Sequence, residues 1–199
     1  MTSGRGQRGA SLVEILASLL VFGLFAVGIQ QFARTMLRGV AVLAAAAEAQ
    51  EAARLGAQLI ATDLRDAGFS ASGALGNGVR EASADAVAVV RDLNGDGDSD
   101  DAGEAVAYAY AADRRALLRR QGAAPPQPLL NDLSADGLRL VYFARDGSRL
   151  ATSGALDAAQ LRRIHRVSVQ VSVDIPHPDP AFGQPIRRVH QVSVVLRNA

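Results

Sequence analysis

Cysteine is absent from the 199 residues. That excludes disulfides, thiolate metal sites and a cysteine nucleophile. A domain built from this chain is held by its core or by a bound ion. Lysine is also absent, and all 21 basic residues are arginine. With the richness in alanine, this reads as genome composition more than a functional demand. No proline precedes Pro125, so nothing in the first half of the chain forbids a long helix. No charged residue lies between Ile15 and Ala33. Nineteen residues of helix span about 28 Å, close to the hydrocarbon thickness of a bilayer. Nucleophile-elbow, zinc-protease and P-loop patterns are missing too. The three histidines, His165, His177 and His190, are scattered, so no catalytic set is visible and an enzyme is not expected. Charge is nearly balanced, at +1 overall. A nucleic-acid partner would need a segregated basic surface that composition does not supply.

The stretch immediately before the uncharged run is Arg8-Gly9-Ala10-Ser11-Leu12-Val13-Glu14. It sets a basic, glycine-ended leader against an apolar segment and places one carboxylate at the membrane boundary. An ionisable group there is costly and is by default a functional candidate. The alternative is a signal anchor whose Glu14 only reaches to the interface. A cleaved secretory signal fits less well, because Leu37-Arg38-Gly39-Val40 offers no small-residue cleavage pattern after the run. Gly9-Ala10-Ser11-Leu12-Val13-Glu14 resembles the processing motif of type IV prepilins and type II secretion pseudopilins. The resemblance implies a prepilin peptidase cutting between Gly9 and Ala10, with methylation of the new terminus at Ala10. Alanine stands there where the family usually has phenylalanine. It further implies that Glu14 neutralises the terminal ammonium of an adjacent subunit. Arg5 and Arg8 favour a cytoplasmic N-terminus, but Arg34 and Arg38 flank the other side, so charge alone does not settle orientation. The resemblance implies a single-pass inner-membrane protein, N-terminus cytoplasmic and bulk periplasmic, that later enters a pilus or pseudopilus.

Residues 10 to about 66 read as one helix, rich in alanine. Beyond the apolar run, Met36, Val40, Leu43, Ala47, Leu55, Leu59 and Ile60 recur near helical spacing. Arg38, Glu48, Glu51, Arg54 and Asp63 lie largely between them. Such a face can pack on the chain's own domain or on neighbouring helices. Gly68 is the expected stop. The ending Asp63-Leu64-Arg65-Asp66-Ala67-Gly68-Phe69 resembles PilW-type minor pilins, and similar endings occur in minor pseudopilins. Residues 70–79 read as a loop and the rest as β-rich. Val167, Val169, Val171, Val173 and Ile175 alternate with polar residues, and 186–197 returns as a last strand. Between them the proline-rich segment 176–185 reads as a stiff exposed loop. Residues 121–128 read as a connector.

The expected organisation is thus a leader (1–9), a membrane-spanning helix half (10–33), an amphipathic helix half (34–68) and a β-rich globular domain (69–199). The class is α+β, with the helix packed on an antiparallel sheet. As the resemblance implies, the chain would be a minor pilin of a pilus priming or tip complex, with other pilins, the peptidase and the inner membrane as partners. A minor pseudopilin is the alternative. An adhesin or DNA-uptake subunit is the alternative of another class.

A second stretch bears chemistry. Asp92, Asn94 and Asp96 place oxygen ligands at alternate positions, with Gly97 following. This matches the first half of an EF-hand-type calcium loop. Asp98 and Asp100 could continue the set. The match then breaks, because position twelve is Gly103 and the glutamate arrives one residue late, at Glu104. Two readings stay open, a calcium site at a hairpin tip and a solvated acidic turn. Five aspartates within ten residues repel one another without a cation, which favours calcium.

Overall fold

A computed structural model describes residues 11–70, 75–150 and 154–198. Helix α1 runs from Leu12 to Asp66, as the lack of proline allows. The chain divides into two compact units, one up to Leu43 and one from Ala44 onward. In the first, the apolar side chains of α1 are exposed all round, from Leu12 through Phe32. This part of α1 is long and apolar enough to cross a membrane.

The second unit has its own core. After α1 come β1 (Val79–Ala82), β2 (Ala86–Val90), β3 (Ala105–Ala111), β4 (Ala116–Gln121) and β5 (Gln127–Leu130). They form an antiparallel sheet in sequence order. The remaining strands are β6 (Leu133–Phe143), β7 (Arg149–Leu150), β8 (Arg166–Ile175) and β9 (Ile186–Val195), with the short helix α2 (Ala158–Arg163) before β8. They make a second antiparallel sheet in the order β7-β6-β8-β9. The α+β class expected from the sequence holds, with two sheets where one was expected. Of the segments 70–79 and 121–128, expected as loop and connector, only Val79 and the residues Gln121, Gln127 and Pro128 belong to strands, at the edges of β1, β4 and β5.

The alternation in β8 was legible because it is a central strand. Val167, Val169, Val171 and Val173 are buried, in the same core cluster as the C-terminal part of α1. In β8 and β9 the register is unbroken from Arg166↔Val195 to Ile175↔Ile186.

The packing face of α1 differs from the expected one. Ala49, Ala53, Ala57, Ile60, Ala61 and Leu64 are buried, whereas Leu55 is exposed and Leu59 half-buried. The buried positions still follow helical spacing. Four of the six are alanine because the sheet supplies the bulk there: a Cβ on Gly56, also buried, would meet Leu130 Cδ1, with Leu117 Cδ2 next to it. Large residues mark a helix's core face only when the opposing surface leaves them room.

Candidate functional site

Two regions carry the functional candidates, the start of α1 and the acidic loop between β2 and β3. Gly9 and Ala10, the expected cleavage pair, lie outside the described residues. Glu14 stands in the first turn of α1, where its N–H donates to the Ser11 carbonyl at 2.9 Å. Its side chain is exposed, and among the described residues it has no ion-pair partner. An acid in the first turn also complements the helix dipole.

The acidic loop is anchored at the C-terminal end of α1. Gly68 takes a left-handed φ of 72° and donates its N–H to Val90 O at 2.8 Å. The next residue, Phe69, accepts the Asp92 N–H at 2.7 Å. The loop therefore starts from the junction of helix and β2. Its two buried carboxylates turn inward. Asp92 accepts from Gly95 N–H (2.6 Å), Gly97 N–H (3.1 Å) and the Ser70 hydroxyl (3.2 Å). Glu104 accepts from Leu93 N–H (2.8 Å) with one oxygen and Asp101 N–H (3.3 Å) with the other. These two side chains shape the loop through its backbone donors, which is how buried carboxylates avoid the cost of desolvation.

The exposed carboxylates converge. Asp96, Asp98 and Asp101 each offer an oxygen within 4.8 Å of the others. The Asn94 amide donates to Asp96 at 2.8 Å and to Asp101 at 2.6 Å. Asp100 stands outside this trio, and its N–H donates to Asp98 at 3.1 Å. Spacing along the chain singled out Asp96 and Asp98 but not Asp101. Only the curl of the loop brings Asp101 back, and the crowding of five aspartates was its one sequence signal. Partial desolvation, then the charges of Asp96, Glu104 and Asp98, raise the Asp101 carboxyl above its usual range. Asp96 is lowered instead, by the Asp98 N–H first and the Asn94 amide second. Neighbouring carboxylates thus contribute to the rise at Asp101, whereas the fall at Asp96 comes from its hydrogen bonds.

Beside this loop is a polar cluster that sequence reasoning missed. Asp63 was placed on the wet side of α1, yet it is buried. Its carboxylate accepts from Arg91 at 3.1 Å, from Arg119 at 3.3 Å and from the Tyr108 hydroxyl. Arg119 also donates to the Tyr108 oxygen at 3.0 Å. Burial first, and then the Asp63 carboxylate, push the Tyr108 phenol far above its ordinary range. Arg91 further donates to Gly103 O at 3.2 Å and 3.3 Å. One carboxylate on α1 thus ties together the end of β2, β3, β4 and the far side of the acidic loop. Arg119, on β4, is part of that tie. The three histidines are indeed apart: His165 precedes β8, His190 lies on β9 and His177 in the proline-rich segment.

No family model matches the sequence, and no curated protein matches it either. Among solved structures, the chain is similar to the type IV-like pilin TTHA1219 from Thermus thermophilus, at 14% identity and a TM-score of 0.43, over 74% of this chain and 95% of that one. At that similarity the chain's own residues have to carry the functional reading.

Proposed function

We propose that the protein is a minor pilin of the PilW type, a structural and assembly component of the priming or tip complex of a type IV pilus. The observation that carries this is the run Gly9-Ala10-Ser11-Leu12-Val13-Glu14 directly at the start of a single helix. The first part of that helix is apolar and exposed, and its last part is built into a β domain. The peptidase cuts after Gly9 on the cytoplasmic side and the new terminus at Ala10 is methylated. The apolar part of α1 then holds the subunit in the inner membrane, with its β domain periplasmic, until it joins other pilins. Glu14 pairs with the terminal ammonium of a neighbouring subunit. Burying either charge alone among apolar helices is expensive, so the pair sets the axial register.

The test separates processing from assembly. Intact mass of the mature protein should show loss of residues 1–9, and Gly9→Val should accumulate uncut. Glu14→Gln should be processed and membrane-bound at wild-type levels, with co-purification of partner pilins reduced severalfold. A mature terminus at Met1 sinks the pilin reading. Wild-type assembly of Glu14→Gln removes the charge-pairing role.

We further propose that the acidic loop binds calcium through Asp96, Asp98 and Asp101, with water completing the oxygen shell that calcium requires. The inward carboxylates of Asp92 and Glu104 hold the loop in shape. Calcium at 100 times its dissociation constant would stabilise the folded state by about 2.7 kcal/mol. Melting of the full chain in detergent should rise with calcium and fall with chelator. Asp96→Ala with Asp101→Ala should abolish that difference, and Asp92 is left intact because its loss would unfold the loop with or without metal. Coincident melting curves with calcium and with chelator leave only a solvated turn.

A further inference from the structure

Nothing in the filament role uses a cavity of about 290 Å³ between the turn after β6 and the end of α2. Arg145, Arg162, Arg163 and His165 line it, with Asp146 as the one acidic residue. Asp146 is already engaged. Its Oδ1 accepts the Ser148 hydroxyl at 2.6 Å and the Ser148 N–H at 2.9 Å. Those two bonds first, and the charge of Arg163 after them, hold its carboxyl below the usual range. The cavity is left with a surplus of positive charge.

Arginines in the last turn of a helix ordinarily complement its free carbonyls. Here two carbonyls at the helix end, those of Leu161 and Ile164, are taken by other groups. Leu161 O accepts from Asn77 Nδ2 at 2.7 Å and from the Ile164 N–H at 3.2 Å, and Ile164 O accepts from the same Asn77 amide at 3.2 Å. α2 is also fixed at its other end, by a capping box between Asp157 and Gln160. The helix is secured without its arginines, and among the described residues neither Arg162 nor Arg163 has a hydrogen bond or ion pair with a side chain.

His165 belongs to the lining as well. Its backbone is fully engaged, its N–H with Phe143 O and its carbonyl with Leu196 N–H, both at 2.9 Å.

We propose that this cavity binds a small oxyanion, a phosphate or carboxylate group, held by the guanidiniums of Arg162 and Arg163. Guanidinium forks match two oxygens of either group at once, and hydrogen bonds between charged partners are the strong ones. The inference is independent of the filament reading and stands or falls without it.

The test uses the full chain in a nonionic detergent without calcium. Inorganic phosphate and acetate are titrated by calorimetry against chloride at matched ionic strength. Saturable phosphate binding with a dissociation constant near the millimolar range is expected. Weaker acetate binding assigns the site to a phosphate group, and equal or tighter acetate binding assigns it to a carboxylate. Arg162→Ala with Arg163→Ala should weaken binding about tenfold or more. Both positions are exposed, so the variant should melt in chloride as the wild type does. Absence of binding by either anion overturns the proposal, and so does binding that the double variant leaves unchanged.

Discussion

Gly68→Ala is expected to destabilise the β domain by about 3 kcal/mol or more, through two additive causes. The left-handed φ of 72° costs a side-chain-bearing residue about 1–2 kcal/mol. The new Cβ would also overlap backbone atoms of Gly76, Asn77 and Gly78, which unlike a side-chain tip cannot swing away. Gly78 faces the same obstruction in reverse, against the backbone of Gly68. The two glycines let the end of α1 lie directly against the strand entering β1, with Gly68 N–H on Val90 O and Val90 N–H on Gly78 O. Gly76→Ala is the control. It too has a left-handed φ, of 60°, but open space around the added Cβ, so it should cost only about 1 kcal/mol. Thermal melting of the full chain checks both. Equal shifts for the two variants would show that backbone overlap at Gly68 is relieved by small movements.

Asp63→Asn is expected to lower the melting temperature by about 5–10 °C, corresponding to roughly 2–3 kcal/mol for a domain of this size. The change keeps the shape of the side chain and removes the charge that Arg91 and Arg119 share. Breaking one partner of a buried ion pair costs about 3–5 kcal/mol. The lower figure applies here because the arginine side chains are 17% and 21% exposed and keep part of their hydration. Tyr108→Phe removes one hydrogen bond from the same cluster and should cost only about 1–1.5 kcal/mol. Because Arg91 also holds Gly103 O, Asp63→Asn should loosen the acidic loop as well. Amide exchange across 92–104 would show it. A melting temperature for Asp63→Asn at or above that of Tyr108→Phe would mean that the arginines are satisfied by water.

Both effects rest on residues whose importance no local pattern announces. Asp63 sits among Thr62, Arg65 and Asp66 and reads as part of a wet stripe. It is buried because Arg91 and Arg119, 28 and 56 positions later, fold over it. Gly68 reads correctly as a helix stop, but its contact with Gly78 depends on where β1 begins. Asp101 joins Asp96 and Asp98 only when the loop curls. Arg162 and Arg163 read as ordinary last-turn cations until Asn77, 84 residues upstream of Leu161, is seen to occupy the carbonyls of Leu161 and Ile164.

The sequence by itself determined the features that depend on neighbours in the chain. Absence of proline and abundance of alanine specify one long helix, since helix propensity acts residue by residue. Nineteen uncharged residues specify a segment fit for a bilayer, since hydrophobic length is a local sum. Strict alternation specifies β8, since a central strand repeats every two residues. The tertiary structure alone decided which face of α1 is buried, how the nine strands among the described residues divide into two sheets, and which charges meet. Those outcomes depend on the space left by residues far away in the chain, and on the energy of removing a charge from water, which has no value until its partners are in place.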